Sequence, residues 1–209
     1  TKMAGKLITF EGIDGCGKST QARLFFEALN INLTDCLLTR EPGGSVGAEE
    51  IRKLLVTGNK NRWSAETEIL LFTAARRDHI ERVIIPAINK NQIVVSDRFF
   101  DSTKIYQGAM NADLTNLVDK LHNLIIKLTP DLTFVIDMEP KHALKRGLAR
   151  LSGEDRFEEF GIDFQQRLRE GFVELTRKEK RRCHLINGDN DQHTIAKEIY
   201  SIYVNHFNG

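Results

Sequence analysis

The residues between positions 12 and 20 have types and spacing suited to holding a phosphate chain. They read Gly-Ile-Asp-Gly-Cys-Gly-Lys-Ser-Thr and match the pattern G-x-x-x-x-G-K-[ST]. In such a loop the backbone N–H groups cradle an anion, the lysine reaches the β- and γ-phosphates, and the serine hydroxyl ligates Mg²⁺. We therefore expect an ATP site formed by Gly12, Ile13, Asp14, Gly15, Cys16, Gly17, Lys18, Ser19 and Thr20.

A second charged group follows the third apolar run, at Ser96-Asp97-Arg98. A carboxylate at a strand end beside a phosphate loop is where a second magnesium contact normally lies, so we expect Asp97 to join Ser19 as a metal ligand. The planar guanidinium of Arg98 suits a second phosphate and makes this residue, with Lys18, a candidate catalytic residue.

Short apolar runs that alternate with longer helical segments must position these residues. Strands are predicted at 7–10, 36–39, 93–96, 132–136 and 184–186, and helices at 18–30, 46–57, 64–90, 104–129, 140–151, 160–182 and 191–207. This alternation favours an α/β, three-layer P-loop fold with a five-stranded, mostly parallel sheet and helices on both faces. Ligands of such sheets bind at the carboxyl ends of the strands.

Length and composition narrow the class of protein. The chain has 209 residues, which fits one domain over 1–209, and its 30 basic and 29 acidic side chains lack the basic excess of a nucleic-acid binder. No apolar run reaches a membrane span, and three widely separated cysteines suggest reduced thiols in the cytoplasm. Thr1 and Lys2 are interpreted as an expression remnant before a native Met3.

The phosphate loop alone leaves the reaction open. The segment Asn89-Lys90-Asn91-Gln92 lacks the carboxylate of the guanine-reading Asn-Lys-x-Asp motif, which argues against a GTPase. A small P-loop protein with extra arginines fits transfer to a small acceptor. Phe72 and Arg76 are four residues apart on a predicted helix, so one ring and one guanidinium share a face that suits a planar base.

Four segments together resemble the thymidylate (dTMP) kinase family. They are Phe10-Glu11-Gly12-Ile13-Asp14-Gly15 with the phosphate loop, Thr39–Gly44, Leu71–Arg76 and Asp97–Gly108, in matching order and spacing from about residue 6 to 180. The last is the most specific, because other nucleotide kinases do not combine Asp-Arg with a downstream Tyr-Gln-Gly. Lys104 departs from the family pattern, in which an apolar or small residue is more usual.

The resemblance implies phosphorylation of dTMP to dTDP with ATP and Mg²⁺, usually by a homodimer. Phe72 would stack on thymine, Arg76 would hydrogen-bond its carbonyl edge, and Arg98 would hold the acceptor phosphate. The remaining acceptor-binding residues implied by the resemblance are Asp14, Glu41, Pro42, Thr103, Tyr106 and Gln107.

The resemblance also implies a lid at about 146–158. Because the variable positions of the phosphate loop contain no arginine, the positive charge that neutralises the transferred phosphoryl group must come from elsewhere. Arg150 is the first candidate for this catalytic role, Arg146 the second and Arg156 the third.

Two alternatives stay open at this point. One is a kinase for another deoxynucleoside or nucleoside monophosphate, and the other is a non-catalytic nucleotide-binding sensor. The Phe72–Arg76 pair argues against the first, and the intact Lys18, Asp97 and Arg98 argue against the second.

Overall fold

The computed structural model describes residues 4–59, 61–148 and 161–208. Within them, five parallel strands form one sheet: β1 (Lys6–Glu11), β2 (Cys36–Arg40), β3 (Ile93–Asp97), β4 (Leu132–Asp137) and β5 (Cys183–Asn187). Their order is β2-β3-β1-β4-β5, with the phosphate-loop strand in the centre. The predicted α/β class and parallel sheet are confirmed.

Helices connect the strands and cover the sheet. They are α1 (Lys18–Ile31), α2 (Val46–Val56), α3 (Ala65–His79), α4 (Ile85–Asn89), α5 (Phe100–Met110), α6 (Asp113–Leu121), α7 (Pro140–Leu148), α8 (Ile162–Lys178) and α9 (Gln192–Asn208). Single π-helical turns continue α3 and α6, over Ile80–Ile84 and His122–Ile126.

The side chains of β1 alternate between two apolar layers, as expected for a strand buried on both faces. Ile8 and Phe10 pack in the larger layer together with α1, α8 and α9. Leu7 packs in the other layer, against the π-helical turn after α3 and the start of α5. The two layers confirm helices on both sides of the sheet.

The predicted helix over 104–129 is two helices in the structure, and the first begins earlier, at Phe100. Asn111 separates them because its side-chain oxygen accepts a hydrogen bond from the amide of Asp113 at 3.0 Å. Asparagine often forms such a turn in competition with helical hydrogen bonds. The predicted segment 64–90 is continuous from α3 through α4, with one π-helical turn just before Pro86, whose ring disfavours regular helix there.

The register of the sheet brings the two charged segments together. Phe10 of β1 lies beside Asp97 of β3, and Asp97 lies beside Arg40 of β2. The amide of Arg98 donates to the carbonyl of Phe10 at 2.9 Å. The phosphate loop, the Asp97-Arg98 pair and the segment that begins at Glu41 therefore share one edge of the sheet.

Candidate active site

The loop between β1 and α1 is held close to α7. Gly15 has φ +81°, and a Cβ atom there would lie 2.0 Å from the carbonyl oxygen of Ala143. Only glycine fits such a position. Gly17, with φ +100°, stands directly before α1, whose first helical residue is Lys18. The sequence pattern thus forms the expected turn at a helix N-terminus, where free N–H groups and the helix dipole favour a bound anion.

Two cations share one carboxylate oxygen at this loop. Lys18 Nζ lies 3.2 Å from Asp14 Oδ1, and Arg98 Nη2 lies 2.5 Å from the same atom. Lys18 is buried and also donates to the carbonyl of Ile13 at 3.3 Å. The lysine and the arginine are therefore within two hydrogen-bond lengths of each other, so that two phosphate groups could be bound side by side.

Arg98 is fixed from several sides. Its Nη1 donates to the carbonyl of Gly12 at 3.0 Å and to Ser102 Oγ at 2.7 Å, and its Nη2 donates to Tyr106 Oη at 3.0 Å. The backbone of Arg98 is left-handed, with φ +71°. That conformation is unfavourable for a side chain longer than glycine and is concentrated at functional sites.

Opposite charges decide the ionisation of Asp14. Burial acts to raise its pKa, but Arg98 and Lys18 together hold the pKa well below its ordinary value. The hydroxyl of Tyr106 donates to Asp14 Oδ2 at 2.8 Å and stabilises the same charged form. Asp14 is therefore an anion in the structure and orients both cations.

A second carboxyl group lies beneath the loop and behaves differently. Glu11 accepts a hydrogen bond from the amide of Phe99 at 2.8 Å and another from Ser102 Oγ. Burial, reinforced by the neighbouring Asp101, raises the pKa of Glu11 to about 8. Glu11 thus ties β1 to the start of α5. Its partner Ser102 also accepts a hydrogen bond from Arg98.

The guanidinium of Arg76 belongs to a buried network. Its Nε donates to Glu41 Oε2 at 2.6 Å, and its Nη2 donates to Thr103 Oγ1 at 3.0 Å. His79 Nδ1 lies 3.0 Å from the other oxygen of Glu41, and His79 Nε2 lies 2.7 Å from Thr39 Oγ1. This network fixes the direction of Arg76, and among the described residues it does not use Nη1.

The other residues expected at the acceptor lie along the facing helices α3 and α5. Phe72 is half-buried on α3, one turn before Arg76, and Gln107 is buried on α5, one turn after Thr103. Gln107 Nε2 donates to Glu68 Oε2 at 2.9 Å. Pro42 is half-buried after Glu41, and its carbonyl accepts from Arg52 Nη1 at 2.5 Å.

Three further residues of the loop differ in their exposure to solvent. Ser19 is exposed at the start of α1, and Thr20 is half-buried beside it. Cys16 packs in the larger apolar layer, where burial raises the pKa of its thiol. The structure therefore supports a space-filling role for Cys16.

One carboxylate at this edge of the sheet is suited to a divalent cation. Asp97 Oδ1 is buried and has no hydrogen-bond partner within the described residues. An unpaired carboxylate oxygen at a strand end suits Mg²⁺, which binds proteins through a few oxygen ligands and retains waters. Residues 4–59, 61–148 and 161–208 contain no cluster of three or more His, Cys, Asp or Glu side chains able to form an all-protein metal site.

The expected lid falls largely outside the described residues, and Arg150 and Arg156 lie there. Arg146 is described: it is exposed on α7, one turn after Ala143, and its Nη1 lies 3.8 Å from Met138 Sδ. Because Ala143 touches Gly15, Arg146 lies one helical turn from the point at which α7 meets the phosphate loop.

Four residues of the site did not stand out in the sequence. They are Glu11, Glu68, His79 and Ser102, all buried. The last three hydrogen-bond to residues that did stand out, and Glu11 hydrogen-bonds to Ser102. Glu11 could have been identified from the sequence, because a carboxyl group at the end of an apolar strand needs a buried hydrogen-bond partner. Glu68 could have been identified as well, because it stands four residues before Phe72 and eight before Arg76 on one helix face.

Comparison with known proteins decides the family. Residues 10–199 match the family model for thymidylate kinase. The chain belongs to the thymidylate kinase family. A thymidylate kinase of Dinoroseobacter shibae is 60% identical over 195 residues, which cover 93% of this chain and 94% of the relative. One of Ruegeria pomeroyi is 53% identical over 204 residues, 98% and 97% of the two chains.

The fold agrees with a solved member of the family. The crystal structure of thymidylate kinase from Ehrlichia chaffeensis is 32% identical in sequence and superposes with a TM-score of 0.77, over 96% of this chain and 99% of that one. The resemblance inferred from the four sequence segments is confirmed. In the part of the chain that the structure describes, we find no helix with the length and apolar character required to cross a membrane.

Proposed function

We propose that the chain transfers the γ-phosphoryl group of ATP to the 5′-phosphate of dTMP at the site described above, giving dTDP and ADP. One observation carries this assignment to the site: Lys18 and Arg98 share the same oxygen of Asp14. Phosphoryl transfer needs a donor and an acceptor anion in line and in contact, with their charge neutralised. Lys18 holds the ATP phosphates, and Arg98 holds the acceptor phosphate.

Asp14 changes partners in this scheme. In the structure it neutralises both cations, and it is the shared contact that keeps Lys18 and Arg98 adjacent. When phosphate oxygens arrive, the two cations have better acceptors, and Asp14 is left with the hydroxyl of Tyr106 and the acceptor sugar. Because the acceptor is already a phosphate anion, the reaction requires no strong general base, and positioning supplies most of the rate enhancement.

The base site uses Phe72 and Arg76. Phe72 stacks on the thymine ring, and Arg76 donates to its O4 carbonyl, while Thr103 and Gln107 line the pocket with Tyr106. Glu41 accepts from Arg76 and keeps its direction fixed, so the arginine loses little freedom when the base binds. Pro42 continues the segment that closes the acceptor side.

Magnesium belongs to the same proposal. Ser19 would hold the ion through its hydroxyl, and Asp97 through Oδ1, which is buried and has no hydrogen-bond partner in the described part of the chain. The ion supplies charge neutralisation at the β- and γ-phosphates. A loss of ADP release with EDTA, restored by Mg²⁺ and reduced by Asp97→Asn, is the expected result. Activity unchanged by EDTA would contradict a metal role.

The remaining positive charge for the transfer comes from Arg150, or failing that from Arg146. We expect Arg150→Ala to lower kcat by at least about a hundredfold, with dTMP affinity little changed, because such an arginine acts on the transition state. Arg146→Ala is the matched comparison. If only Arg146→Ala has this effect, Arg146 is the catalytic arginine.

ADP release from ATP and Mg²⁺ tests the function. The acceptors to compare are dTMP, dUMP, dCMP, dAMP, dGMP, UMP and thymidine. The proposal predicts strong release with dTMP, weaker release with dUMP and little with the others. Release with a different acceptor would refute Phe72 and Arg76 as thymine readers, and ATP binding without acceptor-dependent release would favour a nucleotide sensor.

The chain is further proposed to be a homodimer in the cytoplasm. Leu70 on α3 and Leu124 in the π-helical turn after α6 are 57% and 68% exposed, and Arg77 joins the two elements through the carbonyl of Ile125. Exposed apolar side chains on adjoining elements suit an interface. Leu70→Glu should lower the mass measured by light scattering, whereas Leu33→Glu, at a separate exposed site, should not. The free thiols of the three cysteines fit a reducing compartment.

A further inference from the structure

The carboxylate of Glu68 lies next to the proposed base site but outside every role assigned above. Glu68 and Gln107 are 2% and 0% exposed, and Gln107 Nε2 donates to Glu68 Oε2 at 2.9 Å. A carboxylate can only accept hydrogen bonds, so it must face the NH₂ end of the Gln107 amide. The amide carbonyl is thereby forced to point away from Glu68.

That carbonyl oxygen is Oε1. Gln107 Oε1 is buried and has no hydrogen-bond partner within the described residues. Buried polar atoms in folded proteins almost always have a partner, and one that lacks it is costly unless a ligand supplies it. The missing partner is therefore a hydrogen-bond donor.

The positions of Glu68 and Gln107 relate this atom to the base site. Glu68, Phe72 and Arg76 follow one another at four-residue intervals along one face of α3. Thr103 and Gln107 do the same on α5. Hydrogen bonds join these faces from Arg76 to Thr103 at 3.0 Å and from Gln107 to Glu68 at 2.9 Å. Phe72 lies on the helical turn of α3 between Glu68 and Arg76.

We infer that Glu68 is a specificity-determining positioning residue, which fixes the Gln107 amide so that its carbonyl accepts from the N3–H group of a thymine or uracil base. This inference rests on the proposed base site. Thymine and uracil present O4 as an acceptor to Arg76 and N3–H as a donor to Gln107. Cytosine presents an NH₂ group and an unprotonated N3, so both contacts become unfavourable.

The rejection of cytosine depends on Glu68 because an amide can otherwise turn over. A freely rotating Gln107 would offer its NH₂ group to cytosine N3 and its carbonyl to thymine N3–H, and so would accept either base. Glu68 removes the first option, since turning the amide would place two acceptors in contact in a buried site. Selectivity thus comes from an unfavourable contact with the wrong base as well as from a favourable one with the right base.

The decisive variant is Glu68→Gln, which keeps the shape of the side chain but provides both a donor and an acceptor. Affinities for dTMP, dUMP and dCMP are measured by calorimetry without ATP. We expect the preference for dTMP over dCMP to fall about tenfold, the equivalent of one net hydrogen bond. The preference for dTMP over dUMP should stay unchanged, because these bases share the N3–H group and differ only by a methyl group.

Glu66→Gln is the matched control, since it removes the same charge from an exposed position of the same helix. It should leave all three affinities unchanged. Glu68→Met, which also frees the amide without burying a charge, should behave as Glu68→Gln does if the latter folds poorly. A Gln107→Met background tests whether Glu68 acts through Gln107. In that background, Glu68→Gln should not change the ratio of dTMP to dCMP affinities any further.

Three results would overturn the inference. They are an unchanged dTMP-to-dCMP ratio in the folded Glu68 variants, the same shift in the Gln107→Met background, and a wild-type protein that binds dCMP as tightly as dTMP. None of these is a test of catalysis, since ADP release with dTMP decides phosphoryl transfer separately. The inference and the proposed function can therefore fail independently.

Discussion

Replacing Glu41 with glutamine should destabilise the protein far more than its single lost charge suggests. Glu41 and Arg76 form an ion pair in which both side chains are 3% exposed, with Nε and Oε2 2.6 Å apart. The other oxygen of Glu41 lies 3.0 Å from the buried His79. Glu41→Gln leaves the Arg76 cation buried without a counter-charge.

The magnitude follows from the burial. Removing one partner of a buried ion pair costs about 3–5 kcal/mol, because the remaining charge stays in a poorly solvating interior. For a chain of this size each kcal/mol lowers Tm by about 2–4 °C. We therefore expect Glu41→Gln to lower Tm by about 6–20 °C.

Thermal and urea unfolding measure this loss, with Glu27→Gln as the matched control. Glu27 pairs with Arg23 at 2.6 Å, but the two side chains are 47% and 55% exposed. Such a surface pair contributes about 0.3–0.5 kcal/mol, so the control should lower Tm by no more than about 2 °C. Equal losses in the two variants would refute the assignment of a buried network.

Two further measurements separate stability from base reading. Replacing both partners, as in Glu41→Gln with Arg76→Met, should destabilise less than Glu41→Gln alone, because no unpaired charge remains. Added dTMP should raise the Tm of Glu41→Gln less than that of the wild type, since a bound ligand stabilises in proportion to the logarithm of its affinity. A full dTMP response in Glu41→Gln would show that Arg76 does not need Glu41 for its orientation.

Three other predictions follow from the same site. Lys18→Ala should lower kcat by at least about a hundredfold while Tm is retained, and unaltered turnover would refute the phosphate role of Lys18. Arg76→Ala should weaken dTMP binding about ten- to hundredfold, measured by calorimetry, with ATP binding unchanged, and equal losses for both ligands would contradict base reading. Glu11→Gln should become more stable relative to the wild type as pH rises from about 5 to 8, by at most about 1.4 kcal/mol per pH unit. Native Glu11, with a pKa of about 8, keeps a proton that the unfolded chain releases near 4.5, so the wild type loses stability over this range and the glutamine variant does not. Parallel pH profiles from urea unfolding would contradict this last prediction.

Local sequence signals predicted the fold well. The glycine spacing around Lys18 predicted the strand, turn and helix of the phosphate loop, since only glycine allows the backbone of Gly15 to approach Ala143. Short apolar runs predicted all five strands of the described sheet. The sequence did not predict the break at Asn111. An asparagine inside a helical pattern can form a turn that competes with the helix, but only the structure shows that the turn has formed here.

Contacts between distant segments could not be predicted in the same way. Glu41 and Arg76 are 35 positions apart, and they meet only because β2 lies beside β3 and brings its end to α3. The left-handed backbone conformation of Arg98 could not be predicted from the sequence either, since residues of any type can stand on either side of such a position. The resemblance to the family supplied roles for Arg76 and Arg98. It named Glu41 and Asp14 as acceptor-binding residues, but not as the carboxylates that orient the two arginines.

The most direct test of the account follows the phosphoryl group itself. ATP labelled in its γ-phosphate is incubated with Mg²⁺ and dTMP, and the products are separated for the wild type and for Lys18→Ala. We expect the label in the β-phosphate of dTDP with the wild type, and we expect Lys18→Ala to lose nearly all of this transfer. Label released only as inorganic phosphate, or equal transfer by Lys18→Ala, would contradict it.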